Sequence, residues 1–259
     1  MGKVIILDET TRNPITLIGK RAGVCWGADV TDDEKNYKRG LACLSSNHGR
    51  TLEFINVEMV LEGYSARVIR EWYTHIGGSP TRLQASTRYI DYGKFDYVTP
   101  RKIEADRRAL RIYNNTMKII ADNAKYLEEE LGVPREDAAM LLPLGMSTKI
   151  VDKRNARNLM DMSRQRMCSR AYWEYRQLFL DIIYELSQIS EEWAYICSAY
   201  FHPKCVELGE CPEAKSCGMI KQRQNTGTVL KDIANAWKSL TPSEQNMITE
   251  FIMGVGESD

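Results

Sequence analysis

The alternating pattern in EFINVEMVLEG, residues 53–63, most constrains how this chain can fold. Large apolar residues take every second position and polar residues take most positions between them: Ile55, Val57, Met59 and Leu61, against Asn56, Glu58 and Glu62. Successive side chains of a strand point to opposite faces, so this period predicts a strand with one buried face. Such a strand needs neighbouring strands and a covering layer, which predicts a sheet packed against helices.

The rest of the sequence supplies two further strands and many helices. KVIILD, near the start of the chain, and GMSTKIVDKR, at residues 145–154, have strand-like patterns. Helix patterns occupy residues 14–26, 32–46, 66–76, 99–131, 134–143, 155–188 and 190–201. The first has Pro14 at its first position, the third is capped by Ser65 and ended by Gly77-Gly78, and the fourth is capped by Thr99. Because strands and long helices do not alternate as regular βαβ units, the sequence predicts an α+β fold with a mixed or antiparallel sheet.

The C-terminal segment differs in character from the rest. KQRQNTGTV, residues 221–229, is polar, and two short helix patterns follow it. The second opens with Thr241-Pro242-Ser243-Glu244, a capping box with proline at the first helical position. We therefore predict a main domain at residues 1–220 and a short helical C-terminal appendage at residues 221–259, which packs on the main domain or on another subunit.

Composition limits the kinds of partner and the compartment. The chain has 35 Lys and Arg against 35 Asp and Glu, which argues against a generally basic nucleic-acid-binding protein. No apolar run approaches the roughly 20 residues of a membrane-spanning helix, and the first residues lack the length and cleavage site of a signal peptide. The seven cysteines are odd in number, and four lie in helical patterns: Cys25, Cys43, Cys168 and Cys197. This usage favours reduced thiols and a cytoplasmic protein.

Sequence motifs of several common sites are missing. The chain has no Gly-x-Ser-x-Gly, His-Glu-x-x-His, Gly-x-Gly-x-x-Gly or Walker A pattern. His202, Cys205, Cys211 and Cys217 are four residues of the types that bind tetrahedral zinc, but they lack the paired Cys-x2-Cys spacing of a strong zinc site. The spacing favours buried or free thiols, so we predict no metal.

One segment with an unusual set of polar side chains is GGSPTRLQASTRYIDY, residues 77–92. If its backbone is extended, Gln84, Ser86 and Arg88 lie on one face. An amide, a hydroxyl and a guanidinium together favour an anion or a planar polar group. The preceding Gly77-Gly78-Ser79 loop can bring backbone N–H groups close to such a ligand, since glycine permits close approach.

A second segment, the helical region 155–188 with the residue before it, is rich in arginine: Arg154, Arg157, Arg164, Arg166, Arg170 and Arg176. Asn155 is a natural N-cap, and Arg157 and Asp161 lie one turn apart. At about 100° per residue, Arg166 and Arg170 share a face with Trp173. The pattern is typical either of a solvated face with ion pairs or of a helix that lies between anion sites or subunits.

Three groups of residues together resemble one known family. Trp72 and His75 precede Ser86-x-Arg88-Tyr89, Leu142-Pro143 precedes Asn155-Ala156-Arg157-x-Leu159-Met160, and Arg166 precedes Ala171-x-Trp173-Glu174. Over residues 50–200 the chain resembles the flavin-dependent thymidylate synthases. The resemblance implies a homotetramer that uses FAD, methylenetetrahydrofolate and NADPH to methylate dUMP to dTMP, on the same α+β fold.

The resemblance also implies roles for individual residues. Arg166 is the catalytic group, which holds the uracil edge and stabilises negative charge that develops on the ring. The residues implied for dUMP are Glu71, Gln84, Ser86, Arg88 and Arg166. The residues implied for FAD are His75, Ser79, Asn155, Arg157, Asp161 and Arg170. Hydride chemistry belongs to the flavin, so no cysteine nucleophile is required.

The chain departs from the family pattern at several charged positions. The family's opening Arg-His-Arg reads Thr74-His75-Ile76 here, and an arginine that contacts nucleotide is replaced by Ala139. Arg82 or Arg170 could supply the missing positive charge. Two alternative functions therefore stay open: flavin-dependent modification of another pyrimidine nucleotide, and a non-catalytic nucleotide-binding protein on the same fold.

Overall fold

The computed structural model describes residues 2–86, 88 and 94–220. The predicted α+β fold is confirmed. The strands are β1 (Lys3–Ile6), β2 (Asn56–Ser65), β3 (Thr81–Gln84) and β4 (Ser147–Asn155). The helices are α1 (Pro14–Cys25), α2 (Asp33–Ser45), α3 (Ala66–Trp72), α4 (Arg101–Glu104), α5 (Arg107–Glu129), α6 (Arg135–Ala138), α7 (Ala156–Arg166), α8 (Trp173–Ile189), α9 (Glu191–Tyr200) and α10 (Lys204–Leu208), with short 3-10 turns at Gly49–Phe54 and Ala139–Leu141.

The four strands form one sheet in the order β1-β2-β4-β3. Across the central pair, Lys149 bonds to Glu62 at 3.2 Å and Lys153 to Glu58 at 2.8 Å. One residue number rises as its partner's falls, so β2 and β4 are antiparallel. The apolar residues of the predicted strand pattern, Ile55, Val57, Met59 and Leu61, are all fully buried, although β2 itself begins at Asn56.

The chain divides by its internal contacts into two compact units. The first unit contains residues 2–5, 60–75 and 81–152. Its core includes the buried Trp72, whose indole Nε1 donates to Asp152 Oδ1 at 2.9 Å. Since an unpaired indole N–H or carboxylate is costly to bury, this bond allows both side chains to lie inside.

The second unit contains residues 6–59, 76–80 and the described residues from 153 onward. Its helices α1 and α2 touch through glycine: a Cβ on Gly19 would lie 1.7 Å from Asn36 O. Glu192, on α9, accepts from the backbone N–H groups of Ile15 and Thr16 at 2.6 and 2.9 Å. This carboxylate satisfies N–H groups in the first turn of α1, which has no capping side chain at Asn13.

Three helix predictions need correction. The helix after Ser65 ends at Trp72 and does not reach Gly77-Gly78. A turn follows it, in which Thr74 Oγ1 donates to Glu71 O at 2.7 Å. The predicted helix 99–131 is two helices, since Asp106 accepts from the N–H groups of Arg108 and Ala109 and starts α5. Neither begins at Thr99.

The third correction concerns the region 155–188, which is interrupted between α7 and α8. Met167 N bonds to Ser163 O at 3.0 Å and ends α7, and Ala171 N bonds to Cys168 O at 2.9 Å in the turn that follows. Cys168, which was predicted to be helical, therefore lies in this turn.

The predicted helical appendage at 221–259 lies outside the described residues. Within the described part of the chain, none of the helices combines the length and the apolar character that crossing a membrane requires.

Candidate functional site

The start of β2 and the end of β4 come together in the second unit. Because these strands are antiparallel neighbours, the 3-10 turn before β2 and the first turn of α7 after β4 lie at the same end of the pair. Ala156 N donates to Ile55 O at 3.0 Å and fixes this arrangement. Residues far apart in the sequence therefore face one another here.

A cavity of about 420 Å³ lies at this junction. Its lining consists of Arg50, Glu53, Gly77, Gly78, Asn155, Arg157, Asn158 and Asp161. The volume falls within the range of about 300–1,000 Å³ that is typical of small-molecule sites. Three of the residues predicted for the flavin, Asn155, Arg157 and Asp161, meet in it, and Ser79 follows its glycine pair directly.

Glycines make room for the polar side chains of this cavity. A Cβ on Gly78 would lie 2.3 Å from Asn155 Nδ2, and a Cβ on Gly49 would lie 2.0 Å from Arg157 Nη1. Gly78 also has φ of +72°, and Ser79 after it has φ of +53°, a left-handed pair of residues. Since a larger residue would fill the space, the bare backbone is part of the site.

Asn155 is the predicted N-cap of α7. Its side chain accepts from Asn158 N at 2.8 Å, which confirms the cap and holds the amide beside Gly78. The positive end of this helix lies at the cavity wall and favours a negatively charged ligand.

An ion network fixes the predicted arginine of the cavity. Arg157 Nε donates to Asp161 Oδ2 at 3.0 Å, as the one-turn spacing predicted. Asp161 Oδ1 also accepts from Arg164 Nη1 at 2.8 Å, and Arg164 pairs with Glu207 at 2.9 Å. Among the residues that the structure describes, the two Nη groups of Arg157 have no hydrogen-bond partner, so Arg157 can bind an anion without leaving Asp161.

The predicted nucleotide segment lies in the first unit. The strand β3 ends at Gln84, whose Nε2 lies 3.4 Å from Thr148 Oγ1. Arg88 N donates to Ser86 Oγ at 3.2 Å, so the backbone turns at Arg88. Residue 87, between Ser86 and Arg88, lies outside the described residues, so the common face of Gln84, Ser86 and Arg88 stays a prediction.

The hydrogen bond between Arg88 N and Ser86 Oγ keeps these two residues close together. The Arg88 guanidinium pairs with Glu136 at 2.8 Å, and both side chains are well exposed. A partly solvated pair of this kind is weak, so an anionic ligand can displace the carboxylate.

Glu71 and His75 flank the end of α3. Glu71, half-buried in the last turn, lies 4.0 Å from Arg67, and its backbone carbonyl accepts from Thr74. His75 N donates to Trp72 O at 3.3 Å in the turn that follows the helix. These contacts leave the proposed substrate role of Glu71 and the proposed cofactor role of His75 as predictions.

The predicted catalytic arginine ends α7. The Arg166 guanidinium carbon lies 4.8 Å from the centroid of the Tyr175 ring, and Tyr175 in turn stacks on Phe179 at 5.9 Å and 12°. Both rings are fully buried. A cation–π contact of this kind orients the guanidinium.

Arg170 does not share a helical face with Arg166, because α7 ends at Arg166 and α8 begins at Trp173. Arg170 lies in the turn between them, is exposed, and pairs with Glu213. The predicted common face of Arg166, Arg170 and Trp173 is therefore wrong.

The predicted thiol loop sits around α10. Cys205 is buried, Cys211 is half-buried and Cys217 is exposed, and burial lowers the pKa of His202. Among residues 2–86, 88 and 94–220, no three His, Cys, Asp or Glu side chains are grouped so that they could hold a metal ion. The absence of a metal stays a prediction.

Three lining residues were not predicted: Arg50, Glu53 and Asn158. Arg50 and Glu53 belong to the 3-10 turn Gly49–Phe54, and Glu53 also begins the stretch that was predicted to be a strand. Asn158 could have been found, because it is the N–H partner of the predicted cap and lies one residue from Arg157.

Comparison with known proteins extends the resemblance to most of the chain. Residues 6–190 match the family described as thymidylate synthase complementing protein. The flavin-dependent thymidylate synthase of Clostridium tetani is 30% identical over 241 residues, which cover 84% of this chain and 94% of the relative. The enzyme of that name from Pyrococcus abyssi is 32% identical over 222 residues, which cover 81% and 89%.

Solved structures agree on the fold. A crystal structure of thymidylate synthase X from Helicobacter pylori with FAD and dUMP has a TM-score of 0.58 and 17% identity, and the match covers 74% of this chain and 96% of that one. A second structure of this Helicobacter pylori enzyme with the same ligands has a TM-score of 0.57. Sequence and fold together identify this chain as a member of the flavin-dependent thymidylate synthase family.

Proposed function

We propose that this chain catalyses the reductive methylation of dUMP to dTMP, with FAD as cofactor and with methylenetetrahydrofolate and NADPH as co-substrates. The observation that carries the proposal is the cavity in which Asn155, Arg157 and Asp161 meet a glycine pair. These are residues that the resemblance assigns to the flavin, and the fold brings them together from different segments.

The residues of the cavity suit a phosphorylated dinucleotide. Gly78 and Gly49 keep space that a Cβ would fill, and the N-terminus of α7 and the Arg157 guanidinium face a ligand there. The cavity of about 420 Å³ has room for part of FAD, such as its diphosphate and one flanking group. FAD, when bound, supplies the hydride-transfer chemistry.

Ser79, His75 and Arg170 are the other residues proposed to bind the cofactor. Ser79, with φ of +53°, continues the left-handed turn from Gly78 and can direct its backbone and hydroxyl groups toward the cofactor. His75 lies at the start of the same loop. Arg170 is exposed and can exchange Glu213 for a cofactor phosphate.

The nucleotide phosphate is assigned to Ser86 and Arg88. Arg88 exchanges its exposed partner Glu136 for the phosphate, and the Ser86 hydroxyl, already bonded to Arg88 N, adds a second donor. Gln84 and Glu71 are proposed to complete the nucleotide site with an amide and a carboxylate.

Arg166 is assigned the catalytic role. Its planar guanidinium, held over the Tyr175 ring, can bond to the uracil edge and stabilise negative charge as it develops. The buried Tyr175–Phe179 stack fixes the position of the guanidinium, so little reorganisation is needed at the moment of reaction.

The proposal includes a homotetramer in the cytoplasm. The helix α5 exposes Ile112, Ile119 and Tyr126, which are seven residues apart and form one apolar stripe. An exposed stripe of this kind favours contact with another subunit. None of the seven cysteines, which all lie in the described part of the chain, forms a disulfide, as expected in a reducing compartment.

Absorbance spectroscopy tests the proposal. The purified chain, mixed with FAD and freed of unbound ligand, should retain a flavin spectrum, and dUMP should perturb that spectrum more than dCMP does. Retention of flavin with no response to any pyrimidine nucleotide would contradict the assigned substrate, and failure to retain flavin would contradict the assigned cofactor.

A further inference from the structure

The cavity contains an arginine that the family resemblance does not assign. Arg50 lines the same cavity as Arg157, from the 3-10 turn before β2. Its side chain is exposed, and within the described part of the chain it makes no hydrogen bond or ion pair. We infer that Arg50 binds the diphosphate of the dinucleotide cofactor, an inference that rests on the proposed function.

Charge balance in the cavity supports this role. Its lining carries two cations, Arg50 and Arg157, and two anions, Glu53 and Asp161. Arg157 is paired with Asp161 at 3.0 Å, so that pair contributes little net charge. Asp161 also pairs with Arg164 at 2.8 Å, so Glu53 is the lining anion that Arg50 offsets, and loss of Arg50 would make the cavity less favourable for a diphosphate.

The other arginines near the signature segment are held elsewhere. Arg82 donates to Tyr73 O at 3.0 Å and lies 4.4 Å from the centre of the Tyr73 ring. Arg170 pairs with Glu213. Thr74 and Ile76 carry no charge. Arg50 can supply positive charge without giving up a partner, whereas Arg82 would first have to leave Tyr73 and Arg170 would have to leave Glu213.

The backbone at Gly49 also suits the binding of one anion by two arginines. Gly49 precedes Arg50, and the Arg157 guanidinium lies so close to Gly49 that a Cβ there would be 2.0 Å from Nη1. The Arg157 guanidinium therefore lies beside the backbone that leads into Arg50, and both residues line the cavity. Two arginines that approach one anion from neighbouring positions match the several oxygens of a diphosphate.

Calorimetric titration of the purified full chain tests the inference with FAD, ADP and riboflavin as probes. FAD and ADP contain a diphosphate and riboflavin contains no phosphate. The variants are Arg50→Gln, Arg50→Lys and Glu53→Gln, and Arg21→Gln is the matched control, because Arg21 is an exposed arginine of α1 outside the cavity. Circular dichroism and thermal unfolding check that each variant is folded.

We expect Arg50→Gln to raise the Kd of FAD and of ADP about tenfold and to leave the Kd of riboflavin unchanged. Arg50→Lys should recover part of the loss, Glu53→Gln should lower the Kd of FAD, and Arg21→Gln should change nothing. An Arg50→Gln variant that binds FAD as the unmodified chain does would overturn the inference and leave the proposed function intact. Equal weakening of FAD and riboflavin would also overturn it. An unmodified chain that does not bind FAD would refute the proposed function itself.

Discussion

Replacing Gly78 by alanine should damage the cavity through one identifiable contact. The new Cβ would lie 2.3 Å from Asn155 Nδ2, which must move away, and Asn155 would lose its cap on Asn158 N. A left-handed φ of +72° costs alanine about 1–2 kcal/mol, and loss of an N-cap costs about 0.5–2 kcal/mol. We expect Gly78→Ala to lower the free energy of unfolding by the sum of both terms.

Gly27 provides the matched control. It has φ of +62° in the same unit, and a Cβ there would meet nothing within 4 Å. Gly27→Ala should therefore show the conformational cost alone. Urea unfolding should find Gly78→Ala less stable than Gly27→Ala by about 0.5–2 kcal/mol, the value of the cap. FAD affinity should fall only in Gly78→Ala.

A double-mutant cycle isolates the contact. In an Asn155→Ala background the cap is already lost, so Gly78→Ala should cost no more than Gly27→Ala does. Two results would contradict the proposed contact between Gly78 and Asn155. One is equal destabilisation by Gly78→Ala in both backgrounds, and the other is destabilisation by Gly78→Ala no greater than by Gly27→Ala in the unmodified chain.

Four further predictions follow from the assigned residues. Arg166→Lys should reduce the rate of dTMP formation about 10²–10³-fold in steady-state assays with the Kd of FAD unchanged, and a near-normal rate would remove Arg166 from catalysis. Arg88→Gln should raise the calorimetric Kd of dUMP by about one order of magnitude or more, since a charged hydrogen bond is worth about 1.5–3 kcal/mol; Ser86→Ala should have a smaller effect, and equal loss of FAD binding would count against the assignment. Burial lowers the pKa of His202. The unfolded chain therefore takes up a proton at a higher pH than the folded chain does, and stability should fall as pH drops below about 6.5. His202→Asn should weaken the pH dependence of the free energy of unfolding in urea between about pH 5 and about pH 7, and an unchanged dependence would contradict this. Elemental analysis should find less than one zinc per chain, and stoichiometric zinc removed by a chelator would overturn the reading of Cys205 and its neighbours.

Local signals in the sequence predicted much of the fold. The strand predicted in residues 53–63 is found at Asn56–Ser65, since Glu53 and Phe54 belong to the preceding 3-10 turn, and the Ser65 and Asn155 caps are confirmed. The Arg157–Asp161 pair is confirmed too. Each depends on residues within about one helical turn or a few strand positions, where spacing alone fixes geometry.

Breaks within helices were harder to predict. Asp106 lies between two helix-forming stretches, and its side chain starts a second helix by accepting two N–H groups. The break after Arg166 contains neither glycine nor proline. Polar side chains that compete with the helix decide the first break, and packing of Arg166 on Tyr175 accompanies the second.

Arg50 and Glu53 show why the cavity could not be read completely from the sequence. Both lie in the turn before β2, and they line the same cavity as Arg157 because β2 and β4 are neighbouring antiparallel strands. The pairing of distant strands is a tertiary property, so the residues of such a site become visible only once the sheet is known.

The most direct test of the proposed function is to measure dTMP itself. The purified full chain is incubated with FAD, NADPH, methylenetetrahydrofolate and dUMP, and the nucleotides are separated and identified by mass spectrometry. We predict that dTMP forms in amounts that exceed the enzyme many times over, and that omission of FAD, NADPH or methylenetetrahydrofolate abolishes it. Oxidation of NADPH by the flavin-loaded chain with no dTMP formed would contradict the account.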